Sequence, residues 1–188
     1  PLSPPEAAMI FEFVETMSEP QRTRTRETFD RQVEKLEDKG FLRELERLQD
    51  PAISDTRYHE ITQAYFRLNI PCPFLEDECC SIYPVRPSMC REYLVTSPPE
   101  NCRDPVINPV RRVPLSIRLS EALARTWASL SEERVQVVPL ILVMAWVGRN
   151  PDVRRVGDRS IPLLKRLLAD IAQTSNDRRV KVDSVTNK

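Results

Sequence analysis

The stretch from Cys72 to Tyr93 reads CPFLEDECCSIYPVRPSMCREY, and it decides the fold class. All five cysteines of the 188-residue chain lie in this stretch or shortly after it, at Cys72, Cys79, Cys80, Cys90 and Cys102. Nine of the seventeen prolines lie between residues 71 and 114. Because proline interrupts helices and cannot donate in the centre of a sheet, we predict an irregular loop over about residues 70–114. Its shape would come from metal-bound thiolates, from disulfides or from packing of Phe74, Ile82, Tyr83 and Tyr93.

The sequence on both sides of this loop has apolar residues at helical spacing. Ser3, two prolines and Glu6 form a capping box before a first helix over about 4–18, and Gly40 is typical of the residue that ends a second helix. Further helices are predicted over 41–49, from Asp55 to about 68, over 116–130, from a start at 131–133, and over 161–171. The run 138–147, apolar all round, is predicted to be the centre of the core.

The fold class is therefore predicted to be mainly α. We expect a single helical domain over residues 1–173 that holds an irregular proline- and cysteine-rich metal-binding loop. Residues 174–188 are polar and are predicted to form a flexible tail.

Composition excludes several functions. Lys plus Arg equals Asp plus Glu, at 28 each, so bulk charge attracts neither nucleic acid nor an anionic membrane. With three glycines, no dinucleotide fingerprint or P-loop can be written. No leader and no membrane span is apparent, which predicts a cytoplasmic protein whose clustered cysteines are reduced. A protein partner is left open.

Cysteine chemistry favours a soft metal. Thiolates prefer zinc, copper(I) or iron in clusters, and four of them suit zinc or an iron–sulfur centre. The spacing is less specific, because there is no Cys-x-x-Cys pair, and inert buried thiols are the alternative. Cys79 and Cys80 are neighbours that point different ways along an extended chain, so we expect one of them at most to join a four-ligand set.

The residues around the cysteines resemble a known family. Cys72-Pro-Phe-Leu, Cys80-Ser-Ile-Tyr-Pro-Val-Arg-Pro and Cys90-Arg-Glu-Tyr are similar to the signature of the CxxCxxCC cysteine-cluster family, described as a zinc- or iron-chelating domain. That family includes bacterial flagellin lysine N-methylases. The resemblance implies that Cys72, Cys80, Cys90 and Cys102 are metal ligands, that Cys79 is an extra cysteine, and that the cofactor is an iron–sulfur cluster or zinc.

The chain departs from the family pattern at its start. Family members usually carry a compact first cluster, Cys-x-x-Cys-x-x-Cys-Cys, shortly before the segment that matches Pro1 to Glu6. Pro1 is not an initiator methionine. We therefore expect either that upstream residues are missing from the sequence or that this member has lost half of its ligands.

Several other residues have two interpretations each. Arg86 and Arg91 would either stabilise a negative thiolate site or form ordinary turn contacts with Glu76, Asp77 or Glu92. Tyr83 and Tyr93 are predicted to pack rather than to act as catalytic acids. His59, the single histidine, is predicted to be a surface or partly buried residue, with metal ligation as the alternative.

Three functions follow from these observations. The first is metal binding, by an iron–sulfur cluster or zinc, with an unknown substrate. The second, implied by the resemblance alone, is a protein-lysine methyltransferase-like enzyme. The third is a non-catalytic interaction module in which the cysteine loop holds a structural zinc. Whether the protein is an enzyme is left undecided, and a hydrolytic triad is disfavoured because every version of it would need His59.

Overall fold

The structure is a computed structural model that describes residues 1–50, 52–98, 101, 107–159 and 161–172, with only the backbone described for 156–159. The predicted fold class is confirmed: the described chain is mainly helical, with one two-stranded hairpin. Its elements, in chain order, are α1 (Pro4–Thr16), α2 (Glu19–Asp38), α3 (Leu42–Glu46), α4 (Asp55–Arg67), β1 (Leu75–Glu76), β2 (Cys79–Cys80), α5 (Ser88–Glu92), α6 (Leu119–Ser131), α7 (Val143–Arg149) and α8 (161–172). Short 3₁₀ turns occupy Arg47–Gln49, Tyr83–Val85, Leu140–Leu142 and Pro151–Arg159.

Helix α1 begins as its sequence predicts. Ser3 is the N-cap, prolines occupy the first turn, and the Glu6 carboxylate accepts the Ser3 N–H, which completes the capping box. Its buried face packs against α7 and the 3₁₀ segment Pro151–Arg159. The residues before it are held by two backbone hydrogen bonds between Leu2 and Val138, of 2.7 and 2.8 Å.

Helix α2 ends in a Schellman motif at Gly40. Gly40 has a left-handed φ of +64°, its N–H donates to Glu37 O, and the Phe41 N–H donates to Leu36 O. Leu36 is fully buried and Phe41 packs against the same group of apolar residues. The predicted stop at Gly40 is thus confirmed, and it turns the chain so that α3 and α4 complete a second apolar cluster: Leu36, Leu45, Leu48, Ile61, Ile141 and Leu142.

The larger apolar cluster joins α1, α6, α7 and the loop. It contains Ile10, Val14, Phe29, Trp127 and Trp146. Two residues of the predicted irregular loop, Phe74 and Ile82, are buried in it. Phe74 meets Phe29 edge to face, with ring centroids 5.4 Å apart, and this contact anchors the loop on α2.

Three sequence predictions in the second half of the chain are wrong in detail. No helix begins at 131–133: α6 ends at Ser131, and Glu132 adopts a left-handed φ of 58°. The helix predicted over 116–130 begins only at Leu119, and this residue is exposed. The run 138–147 is buried on most sides, but Ala145 faces solvent.

Two further features concern helix ends and faces. Ser54 is the N-cap of α4, because its hydroxyl accepts the Arg57 N–H at 3.2 Å. In α8 Leu163 is buried, whereas Leu164 and Leu168 are exposed.

Among the described residues, no helix is long and apolar enough to cross a membrane. The predicted tail 174–188 lies outside the described residues.

Candidate metal centre

The loop is irregular, as predicted, and a hairpin at its start separates Cys79 from Cys80. In this hairpin Leu75 pairs with Cys80 and Glu76 pairs with Cys79. Successive residues of a strand face opposite sides, so the two thiols diverge. Cys79 is exposed, while Cys80 is half-buried and packs against the larger apolar cluster. Cys80 is therefore the member of the pair that faces the rest of the protein.

Cys72 lies between α4 and the hairpin. Its carbonyl accepts the Leu75 N–H at 3.0 Å, which closes the turn that leads into β1. The side chain keeps contact with solvent, yet partial burial by the surrounding protein raises the pKa of Cys72 to about 11, and the nearby Cys80 and Cys90 act in the same direction. Tyr65 of α4 is close enough to be affected: burial, with a smaller contribution from Cys72, raises the pKa of Tyr65 to about 12.

Cys90 lies in the middle of the five-residue helix α5. Its pKa is raised, first by partial burial and then by Cys80 and Glu6. The Arg86 guanidinium opposes this increase because its positive charge favours a thiolate. The thiols of Cys80 and Cys90 are thus close enough to Cys72 to raise its pKa, and the Arg86 guanidinium lies near Cys90.

Proximity of these thiols does not amount to a complete site. Among the described residues, no three side chains of Cys, His, Asp or Glu are arranged so that they could hold a metal ion. Cys102, the fourth predicted ligand, lies outside the described residues. Cysteine thiolates are suitable ligands for a soft metal. A complete metal site, however, needs more ligands than the described residues bring together.

The base of the Cys102 segment is well defined. Val95 and Arg112 form an antiparallel bridge, and the Thr96 N–H donates to Arg111 O at 2.9 Å. The Asn101 side chain donates to Pro109 O at 2.9 Å and reinforces this closure. This pairing begins directly after α5, because the Leu94 carbonyl accepts the Val113 N–H at 2.9 Å.

Arg86 and Arg91, which the sequence could not distinguish, have different environments. The Arg91 guanidinium donates to Arg86 O at 2.9 Å and to Pro84 O at 2.7 Å, which is an ordinary role in holding a turn. Arg86 stacks on the Tyr83 ring at 3.9 Å, and its buried Nε has no hydrogen-bond partner within the described residues. An unpartnered buried N–H beside Cys90 fits an anionic thiolate site.

The two loop tyrosines do not pack in the core. Tyr83 is 60 % exposed and Tyr93 is 38 % exposed, so the prediction that they are packing residues is wrong. Each instead supports a guanidinium on its ring face, from Arg86 and Arg112 respectively. Of the four side chains expected to shape the loop, Phe74 and Ile82 alone are buried.

His59 is a surface residue. It is exposed on α4, and its Nε2 lies 2.8 Å from the Gln63 side-chain nitrogen. It belongs to no metal-binding group among the residues that the structure describes. This supports the interpretation of His59 as a surface histidine.

Two carboxylates that the sequence did not single out for the site lie on either side of Cys90. Glu6 of α1 accepts hydrogen bonds from Ser88, the first residue of α5. Glu92, the last residue of α5, accepts hydrogen bonds from Ser120 in α6. The capping box identified Glu6 as a local feature, but no local signal points to a partner 82 residues away.

A family comparison agrees with the sequence prediction. Residues 22–107 match the model of the CxxCxxCC family, described as "Putative zinc- or iron-chelating domain". The matched family is the one that the sequence resembles. The matched segment begins inside α2 and includes Cys72, Cys79, Cys80, Cys90 and Cys102. No curated protein and no solved structure matches the chain. The family match supports metal binding as a general function.

Proposed function

We propose that this protein binds zinc or an iron–sulfur cluster through Cys72, Cys80, Cys90 and Cys102. The observation that carries the proposal is the match of residues 22–107, which contain all four of these cysteines, to a metal-chelating family. The effect of Cys80 and Cys90 on the pKa of Cys72 supports it. Bound metal would require these cysteines as thiolates, and it would supply either a structural crosslink or redox chemistry.

Charge around the thiols supports this proposal. A divalent ion with four thiolates carries a net negative charge, and such sites need nearby cations and N–H donors. Arg86 provides both, because its charge favours the Cys90 thiolate and its Nε is buried without a partner among the described residues. Cys79, exposed on the opposite side of β2, is left out of the ligand set.

The decisive experiment compares the two neighbouring cysteines. The protein is purified anaerobically, and its iron, sulfide, zinc and visible absorption are measured. We expect Cys80→Ser to lose the metal and Cys79→Ser, its matched control, to keep it. Wild-type protein without iron or zinc, or equal loss from the two variants, would contradict the proposal.

The methyltransferase-like activity and the interaction module with a structural zinc stay predictions. The same samples separate them from redox chemistry. Iron with sulfide would favour a redox or radical role, while colourless protein with stoichiometric zinc would favour a structural site. Binding of S-adenosylmethionine, measured by calorimetry, is the test for the methyltransferase.

A further inference from the structure

The Glu6 carboxylate is shared by two helices. Its Oε2 accepts the Ser3 N–H at 3.1 Å and the Ser3 hydroxyl at 2.8 Å, which caps α1. Its Oε1 accepts the Ser88 N–H at 2.7 Å and the Ser88 hydroxyl at 2.6 Å, at the start of α5. Glu6 is only 7 % exposed, so these four hydrogen bonds replace most of its contact with water.

Glu92 makes a similar contact at the other end of α5. Its Oε1 accepts the Ser120 N–H at 2.9 Å, and its Oε2 accepts the Ser120 hydroxyl at 2.6 Å. Ser120 lies in the first turn of α6, where an anionic group is favoured by the helix dipole. The five residues from Ser88 to Glu92 are therefore fastened to α1 at one end and to α6 at the other.

These contacts matter because, apart from the hydrogen bonds of Arg91 to the preceding turn, α5 has little else to hold it. An isolated helix of five residues is unstable, since nucleation costs more than its few internal hydrogen bonds return. None of the residues of α5 is buried, so apolar packing does not fix its position. Cys90 is its central residue, two positions from Ser88 and two from Glu92.

We propose that Glu6 and Glu92 are positioning residues that hold Cys90 in place for metal binding. This inference rests on the proposed function and extends it beyond the cysteines. A ligand held in one orientation loses less freedom when the metal binds, and residues that orient ligands commonly change metal affinity by about 10- to 100-fold.

The geometry requires a carboxylate at residue 6. Both oxygens of Glu6 accept a backbone N–H, from Ser3 and from Ser88. A glutamine amide would place its NH₂ group against one of these N–H groups, and two donors cannot pair. Glu6→Gln therefore breaks the hydrogen bond from either Ser3 or Ser88, while it keeps the size of the side chain. At residue 92 one of the two donors is the Ser120 hydroxyl, which can also accept a hydrogen bond from a glutamine NH₂ group. A glutamine could therefore keep both contacts, so Glu92→Ala is the substitution that removes them.

The test measures zinc affinity under reducing conditions, by competition with a chromophoric chelator, and amide hydrogen exchange of metal-free protein. For Glu6→Gln and Glu92→Ala we expect zinc affinity to fall about 10-fold or more. We also expect exchange at residues 88–92 to accelerate more than exchange in α7. Glu12→Gln is the matched control on α1, because Glu12 is exposed and pairs with Arg154. It should leave both measurements unchanged.

Each outcome decides the inference. Unchanged zinc affinity in folded Glu6→Gln and Glu92→Ala would overturn it, as would an equal loss in Glu12→Gln. If Glu6→Gln does not fold, Ser88→Ala, which removes one of the two donors at Glu6 Oε1, replaces it and should still lower the affinity. If wild-type protein binds no zinc, the proposed zinc site is wrong. If amide exchange at residues 88–92 is unchanged in Glu6→Gln and Glu92→Ala, the two carboxylates do not hold α5 in place.

Discussion

The thiols of this loop differ in their surroundings although the sequence presents them as one cluster. Cys79 and Cys80 are adjacent, yet Cys79 is exposed and Cys80 packs against the core. Cys90 has the cationic Arg86 as a neighbour, and Cys72 lies near Tyr65 of α4. Because a metal binds thiolates rather than thiols, these local environments control which cysteines become ligands.

Removal of the positive charge beside Cys90 should weaken metal binding. Arg86→Gln keeps a side chain of similar length without its charge. We expect zinc affinity to fall about 10-fold, a typical effect of residues around the ligands, and alkylation of Cys90 in metal-free protein to require higher pH. Arg118→Gln is the control, because Arg118 is an exposed residue that pairs with Glu121 at 3.3 Å. Equal effects of the two changes would contradict a specific role for Arg86.

The raised pKa of Cys72 predicts how stability changes with pH. The folded state holds this proton more tightly than the unfolded state does, since burial raises the pKa from 9.0 to about 11. The contribution to stability is therefore complete below pH 9 and is lost as pH rises from 9 towards 11. Urea unfolding of metal-free protein should show this loss, and Cys72→Ser should reduce the slope over that range. An identical slope in the variant would contradict the assignment.

At the scale of single elements, the β1–β2 hairpin is strained at its tip. Asp77 and Glu78 have φ values of 47° and 62°, a conformation that two-residue hairpin turns require and that glycine adopts at little cost. Neither position is glycine, so the turn stores strain next to Cys79 and Cys80. The paired strands and the buried Phe74 and Ile82 hold it in place.

Glycine at residue 78 should relieve this strain. A left-handed non-glycine residue costs about 1–2 kcal/mol, and glycine loses about 0.5–1 kcal/mol of that gain through its greater freedom in the unfolded chain. We expect Glu78→Gly to raise the free energy of unfolding by about 0.5–1 kcal/mol, measured by urea titration. Glu76→Gly, in the neighbouring strand, should instead lower it. Destabilisation by both would show that the turn is not strained.

At the scale of the whole molecule, the apolar core extends well beyond the cysteine loop, and the thiol that packs against it is that of Cys80. Two clusters, built from α1, α2, α4, α6 and α7, enclose residues such as Val143 and Leu142 that are almost completely buried. The loop contributes Phe74 and Ile82 to this interior, while Cys72 and Cys90 stay exposed. Helical structure should therefore survive the loss of a metal.

Paired substitutions test this separation of core and loop. Cys90→Ser should bind metal weakly but keep the helical circular dichroism and nearly the melting temperature of metal-free wild-type protein. Leu142→Ala should lower the free energy of unfolding by about 2–5 kcal/mol, as is usual for a cavity in a packed core. If Cys90→Ser unfolds the protein, the loop is a structural crosslink and not an addition to a stable core.

Local patterns in the sequence predicted a large part of this molecule. Capping at Ser3, termination at Gly40, the breaks made by the prolines and the divergence of Cys79 and Cys80 depend on residues within a few positions of one another. The same local signals failed at Ser131–Glu133, because acidic residues after a serine begin a helix in one context and follow a helix end in another. They failed also for Tyr83 and Tyr93, which have apolar rings but lie on the surface.

Tertiary structure alone decided how the cysteine loop is held. Glu6 and Ser88 are 82 residues apart, and Glu92 and Ser120 are 28 apart, so no periodicity or spacing could pair them. The different roles of Arg86 and Arg91 likewise depend on which carbonyls and rings the folded loop brings within reach. The sequence by itself determined the helices, the irregular loop and the soft-metal chemistry of its thiols, because these follow from local backbone preference and ligand type. The fold decided where each thiol lies and what fixes it, because long-range contacts form only when distant segments pack together.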